Sequence, residues 1–119
     1  MATEQLIDVN LLQPFTGNNI QLQQQLIVAF QNELSAFYTS MNNDALNNSL
    51  ESVRVLYHRI SPSLKMLELK QLIQAMESYK QLLAATDATE EVKKPQLLSI
   101  LAVTENLLNE LKRLTGSSV

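Results

Sequence analysis

Apolar residues recur at intervals of three and four positions along most of the chain, which is the spacing of helices that bury one face. The pattern predicts four long helices and one short helix, over residues 18–42, 48–67, 69–85, 95–115 and 6–12. Pro14 is expected to end the short helix, because proline removes a helical donor. With short connections between the long helices, the predicted fold is all-α: an up-and-down four-helix bundle with a short additional N-terminal helix.

The second long helix carries the only histidine of the chain, His58. Each residue advances a helix by about 100°, so the apolar residues of this segment fall on the face opposite His58. These residues are Val53, Leu56, Ile60, Leu64 and Leu67. The imidazole is therefore predicted to point into solvent.

Polar and cationic residues share the face of His58. Arg54 precedes His58 by one turn, Lys65 follows it by two turns, and Ser61 and Pro62 flank it. Because Pro62 has no backbone donor, a kink is expected directly after the histidine. A small cationic patch of this kind suits a phosphoryl group or an acidic partner; an ordinary solvated helix face is the alternative reading.

The composition predicts one domain over residues 1–119, with a core from about 6 to 114 and loose ends at 1–5 and 115–119. A chain of 119 residues with 45% hydrophobic content is long enough to bury a modest core without covalent staples. The absence of cysteine and the single histidine exclude a disulfide or zinc framework. No metal site is predicted.

The net charge of −3 and the pI near 5.0 argue against a nucleic-acid-binding protein, which would carry a long basic surface. The first residues lack the basic and apolar regions of a signal peptide, and no apolar run approaches the roughly 18 residues of a membrane span. A cytoplasmic protein without membrane contact is therefore expected.

The run from His58 to Leu67, HRISPSLKML, resembles the phosphorylation segment of histidine-containing phosphotransfer (HPt) domains. That segment follows the pattern His-x-hydrophobic-Lys-Gly-Ser, with a variant in which proline replaces glycine and Ser-Leu-Lys-Met follows. The resemblance extends over most of the chain. Two positions differ: Ser61 stands where the family has its usual lysine, and Glu68 stands where it has a glycine ten residues after the histidine.

The resemblance implies a phosphoryl carrier of a two-component phosphorelay rather than an enzyme. His58 would accept the phosphoryl group at Nε2 from the aspartate of a response-regulator receiver domain and pass it to another receiver. The receiver would supply Mg²⁺, so no cofactor is expected on this chain. A hybrid histidine kinase is a further candidate partner, and the protein is expected to be a monomer.

The resemblance and the helical spacing together assign roles around His58. The residues expected to stabilise the phosphoryl group are Lys65, Arg54, Ser61 and, on the following helix, Lys80. The residues expected to contact the partner are Tyr57, Arg59 and Pro62.

Two alternatives compete with phosphoryl transfer. In the first, the bundle is an adaptor that binds receiver domains while His58 stays unphosphorylated, a reading that the loss of the usual lysine at Ser61 favours. The second is the dimerisation domain of an autokinase, whose pattern is His-Glu-hydrophobic-x-x-Pro. Here Arg59 follows the histidine, and Pro62 lies four residues on rather than five, so the autokinase pattern fits poorly.

Overall fold

The computed structural model describes residues 6–43, 50–85, 87 and 89–116. All regular structure in these ranges is helical, which confirms the all-α prediction. A 3₁₀-helix over Val9–Leu12 is followed by α1 (Gln13–Thr16), α2 (Ile20–Asn43), α3 (Leu50–Met66), α4 (Lys70–Ala84) and α5 (Glu90–Thr115). None of these helices combines the length and apolar character needed to cross a bilayer.

The four long helices pack around one apolar core. Helices α2 and α4 each contact both α3 and α5. The buried face of α2 consists of Ile27, Phe30, Leu34, Phe37 and Met41. The recurrence of apolar residues at three and four positions also predicts Ala29 on this face, but Ala29 is exposed because it lies about 140° around the helix from Leu34.

The N-terminal segment differs from the predicted short helix. Residues 6–8 are not helical, and Pro14 lies in the first turn of α1 instead of ending a helix. A proline is tolerated in the first turn because the N–H it lacks would have no intrahelical partner there. The chain turns at Gly17 after α1, with a positive φ of 58° that glycine adopts readily.

A buried carboxylate fastens this segment to the far end of the chain. Glu110 on α5 is only 5% exposed. Its Oε1 accepts a hydrogen bond from the backbone N–H of Leu6 at 2.9 Å, and its Oε2 accepts one from Ile7 at 2.5 Å. Arg113 lies 3.5 Å from Oε1. Since Ile7 and Leu12 are both 1% exposed, the segment held by Glu110 closes one part of the core.

Helix α3 continues through Pro62 to Met66 and ends in a Schellman motif. The N–H of Leu69 donates to the carbonyl of Leu64 at 2.9 Å, and the N–H of Glu68 donates to the carbonyl of Lys65 at 3.1 Å. Glu68 has a φ of +51°, the left-handed conformation that this motif requires and that glycine adopts most readily.

Replacement of Glu68 by glycine should stabilise the protein. Relief of the left-handed strain is worth about 1 to 2 kcal/mol, and the greater freedom of glycine in the unfolded chain offsets part of it. We expect the free energy of unfolding to rise by about 0.5 to 1 kcal/mol in urea denaturation. Glu68→Ala removes the same charge but keeps the strain, so a gain of equal size in that variant would contradict this explanation.

Helix α5 begins earlier than predicted. It starts at Glu90 and contains Pro95 within it, whereas the sequence suggested that Pro95 opens the helix. The N–H groups of Val92 and Lys93 both donate to the carbonyl of Thr89, which builds the first turn without help from Pro95. Residues 48 and 49, where the second long helix is predicted to begin, lie outside the described residues, as does the predicted loose end at 1–5. Of the predicted loose end at 115–119, residues 117–119 are also outside them, whereas Thr115 is the last residue of α5 and its hydroxyl donates to the carbonyl of Leu111 at 2.9 Å.

Candidate functional site

An open groove of about 750 Å³ lies between α3 and α4. It contains His58 together with most of the residues predicted to act with it. The α3 side consists of Arg54, Val55, Tyr57, His58, Arg59, Ser61 and Lys65, and the α4 side consists of Ile73, Glu77 and Lys80.

His58 is exposed at this groove, in agreement with the helical spacing. The core side of α3 is filled by Val53, Ile60 and Leu64. Arg54 and Lys65 are also exposed, and Ser61 is half-buried. Because Pro62 has no N–H, the carbonyl of His58 lacks its usual helical donor. The imidazole is thus accessible on a helix, with polar and cationic neighbours.

Lys80 crosses to this site from α4 and is held by two contacts. Its Nζ lies 3.0 Å from Oε1 of Glu77 and 4.7 Å from the centre of the Tyr57 ring. A cation at this distance from an aromatic face is attracted by the ring quadrupole. These two contacts fix the ammonium group at the wall of the groove.

Tyr57, which the sequence predicts as a partner contact, lines the groove but is largely buried. It is only 8% exposed, because it lies about 60° around α3 from the buried Ile60. Burial raises the pKa of Tyr57 above its usual value, and the negative charge of Glu77 adds to that rise in pKa. The phenol is therefore neutral at physiological pH.

The other two predicted partner contacts are exposed but differ in position. Arg59 lines the His58 groove and also a smaller cavity of about 320 Å³ between α2 and α3. Pro62 is exposed but does not line the groove. Of the eight predicted site residues, Pro62 is the one that the structure leaves outside the groove.

The groove is positively charged although the whole chain is negative. Arg54, Arg59, Lys65 and Lys80 contribute four positive charges and Glu77 contributes one negative charge, which gives +3 with a neutral imidazole. The net charge of the chain is −3. A concentration of positive charge in a concave surface attracts anions and raises their local concentration.

Sequence reasoning missed the acidic member of the groove. Glu77 lies three residues before Lys80, and residues at this spacing are neighbours on a helix. That signal was sufficient to place a carboxylate beside Lys80. The apolar contributions of Val55 and Ile73 were missed as well, because they depend on how α3 and α4 pack.

Among the described residues, no group of three or more His, Asp or Glu side chains is arranged to hold a metal ion. Comparisons with protein-family models, with curated proteins and with solved structures found no match for this chain.

Proposed function

We propose that this protein is a histidine phosphotransfer protein of a two-component phosphorelay, built as an up-and-down four-helix bundle of the HPt type. The observation that carries the proposal is the exposed His58 in a groove with four cationic side chains. The proposal includes a monomeric protein in the cytoplasm, where it meets receiver domains and a hybrid histidine kinase. This chain supplies the histidine and the cations beside it, and the partner supplies the metal ion and the other catalytic groups.

The chemistry requires one nucleophile on this chain. The lone pair on Nε2 of the neutral His58 imidazole attacks the phosphorus of the receiver phosphoaspartate. The nitrogen–phosphorus bond forms as the bond between phosphorus and the aspartate oxygen breaks, and the carboxylate leaves with the electron pair. Mg²⁺ bound to the receiver would neutralise charge during the transfer. The reverse reaction passes the group to the next receiver.

The cations of the groove supply electrostatic stabilisation for the phosphoryl group. Lys65 and Arg54 lie on the same helix face as His58 and have their side chains in solvent, so each can turn toward a phosphate oxygen. In this proposal Lys65 replaces the lysine that the family has at the position of Ser61, and the Ser61 hydroxyl is a further donor.

The backbone at Glu68 also supports the resemblance. The family has a glycine at this position, ten residues after the histidine, and Glu68 has the left-handed φ of +51° that favours glycine. A residue in this conformation allows α3 to end and α4 to begin within a few residues. A glycine would fit the backbone at this position without strain, which is compatible with the family pattern.

An adaptor that binds receivers without accepting phosphate is the second candidate function. It is favoured by Ser61 and by the ion pair between Lys80 and Glu77, which occupies one of the groove cations. In this alternative the groove binds the acidic site of a receiver, and the imidazole contributes only a contact.

Incubation with phosphorylated receiver domains tests the proposal. The expected product is a label on this chain that is stable in base and lost in acid, as a phosphohistidine is. Because the chain has one histidine, such a label assigns the site directly. Receiver binding without any transferred label, across receivers from the same organism, would support the adaptor and contradict the carrier.

Replacement of Lys65 by alanine should lower the amount of phosphohistidine at equilibrium with a receiver. Loss of one charge near a partly exposed phosphate is worth roughly 1 kcal/mol, or about fivefold in the equilibrium constant. The matched control is Lys94→Ala, since Lys94 is exposed on α5 and does not line the groove. Equal effects of the two substitutions would show that net charge, and not Lys65, is responsible.

A further inference from the structure

We infer that Glu77 is a resident counter-ion of the groove: it holds Lys80 while His58 is unmodified and releases it when a phosphoryl group arrives. This inference rests on the proposed function and adds a device that sets how tightly the groove binds phosphate. It assigns Glu77 a role in positioning Lys80, not in the bond-making step.

Lys80 is in a different state from the other groove cations. Its ammonium group is 3.0 Å from Oε1 of Glu77. Within residues 6–43, 50–85, 87 and 89–116, Arg54, Arg59 and Lys65 form no ion pair. Lys80 is therefore the groove cation whose charge is already matched by a carboxylate of the protein itself.

The ion pair between Glu77 and Lys80 can separate without unfolding the groove. The side chain of Glu77 is 45% exposed, so a change of rotamer brings its carboxylate into water. Oε2 is buried and accepts no hydrogen bond from any described residue, which leaves half of the carboxylate unsatisfied in the closed arrangement. The Lys80 side chain is 26% exposed, and its ammonium lies over the Tyr57 ring. The cation thus has a second support that does not depend on Glu77.

A phosphoryl group on His58 would change the balance of charge between these side chains. The phosphoryl group carries up to two negative charges and has three oxygens that can accept hydrogen bonds. The Glu77 carboxylate carries one negative charge and contacts Lys80 through one oxygen, Oε1. Lys80 would gain by exchanging partners, and repulsion between the phosphoryl group and Glu77 would favour rotation of the carboxylate into solvent. Because the phosphoryl group has to displace Glu77 from Lys80, Lys80 stabilises the phosphoryl group less than an unpaired lysine would. A carrier that must give up its phosphate benefits from that reduction.

Titration with inorganic phosphate at low ionic strength tests the inference. The readout is the NMR chemical shift of the His58 ring, which is unambiguous because the chain has one histidine. Glu77→Gln keeps the shape of the side chain and removes its charge. We expect this variant to bind phosphate about three- to fivefold more tightly than the wild type, with the difference shrinking as salt is added.

Two further variants separate the role of Glu77 from simpler effects. Glu105→Gln changes the net charge equally at an exposed position of α5 outside the groove, so its phosphate affinity should match the wild type. Glu77→Asp keeps the negative charge, so its affinity for phosphate should be as low as that of the wild type. The inference would be overturned if Glu77→Gln and the wild type bound phosphate with equal affinity, or if neither bound it measurably. It would also be overturned if Glu105→Gln gained as much phosphate affinity as Glu77→Gln.

The titration needs no receiver and no phosphoryl transfer, so its failure differs from failure of the proposed function. If phosphate binds more tightly to Glu77→Gln but receivers transfer no label to the wild type, the counter-ion assignment stands and the carrier function fails. If label transfers but the affinities are equal, the carrier stands and the role of Glu77 is wrong.

Discussion

Replacement of His58 by glutamine should abolish transfer of label from phosphorylated receivers. No other imidazole is present in the chain, and glutamine has no nucleophilic nitrogen at neutral pH. We expect the acid-labile signal to fall to background, a loss of at least about a hundredfold, which corresponds to more than about 2.7 kcal/mol in the transfer equilibrium. The measurement is scintillation counting of the separated protein after base and acid treatment.

The same variant should retain its fold and its affinity for receivers. His58 is exposed and the core side of α3 is filled by other residues, so surface replacement should change the free energy of unfolding by less than about 0.5 kcal/mol. Thermal unfolding and receiver binding are the controls. Label that persists in folded His58→Gln protein would mean that another residue is modified, and the account of the groove would be wrong.

Replacement of Glu110 by alanine should cause the largest loss of stability among the polar substitutions considered for this chain. The change removes the two charge-assisted hydrogen bonds that the N–H groups of Leu6 and Ile7 donate to the Glu110 carboxylate. Each such bond contributes about 1.5 to 3 kcal/mol. We therefore expect the free energy of unfolding to fall by about 3 kcal/mol in urea denaturation.

Two variants of the same helix serve as controls for that loss. Glu105→Ala removes a carboxylate from an exposed position of α5 and should cost less than about 0.5 kcal/mol. Glu110→Gln keeps one carbonyl acceptor and should lose roughly half as much stability as alanine. A Glu110→Ala protein as stable as Glu105→Ala would show that the N-terminal segment is not fastened to α5 in solution.

The helices and the exposure of His58 could be predicted from the sequence because they follow from local periodicity. The spacing of Val53, Ile60 and Leu64 places the buried face of α3 opposite His58. The exposure of the imidazole therefore follows from this helix alone, without the positions of the other helices. The cationic character of the groove was visible for the same reason, since Arg54 and Lys65 lie on the helix that carries His58.

The features that were missed depend on contacts distant in sequence or on single backbone angles. The buried role of Glu110 requires Leu6 and Ile7 to lie beside it, 104 and 103 residues away, and no periodic pattern contains that information. The left-handed Glu68 was unexpected because the usual signal for this conformation, a glycine, is absent. The burial of Tyr57, which is 8% exposed, was not predicted because the residue lies at the edge of the apolar stripe of α3.

Phosphorus–nitrogen correlation NMR on protein labelled with ¹⁵N in the histidine ring gives the most direct test of the central claim. After incubation with a phosphorylated receiver, a coupling should appear between ³¹P and Nε2 of His58. The assignment is direct because the chain contains one histidine. An unchanged imidazole spectrum, under conditions in which the receiver loses its phosphoryl group only to water, would contradict the assignment of His58 as the phosphoryl acceptor.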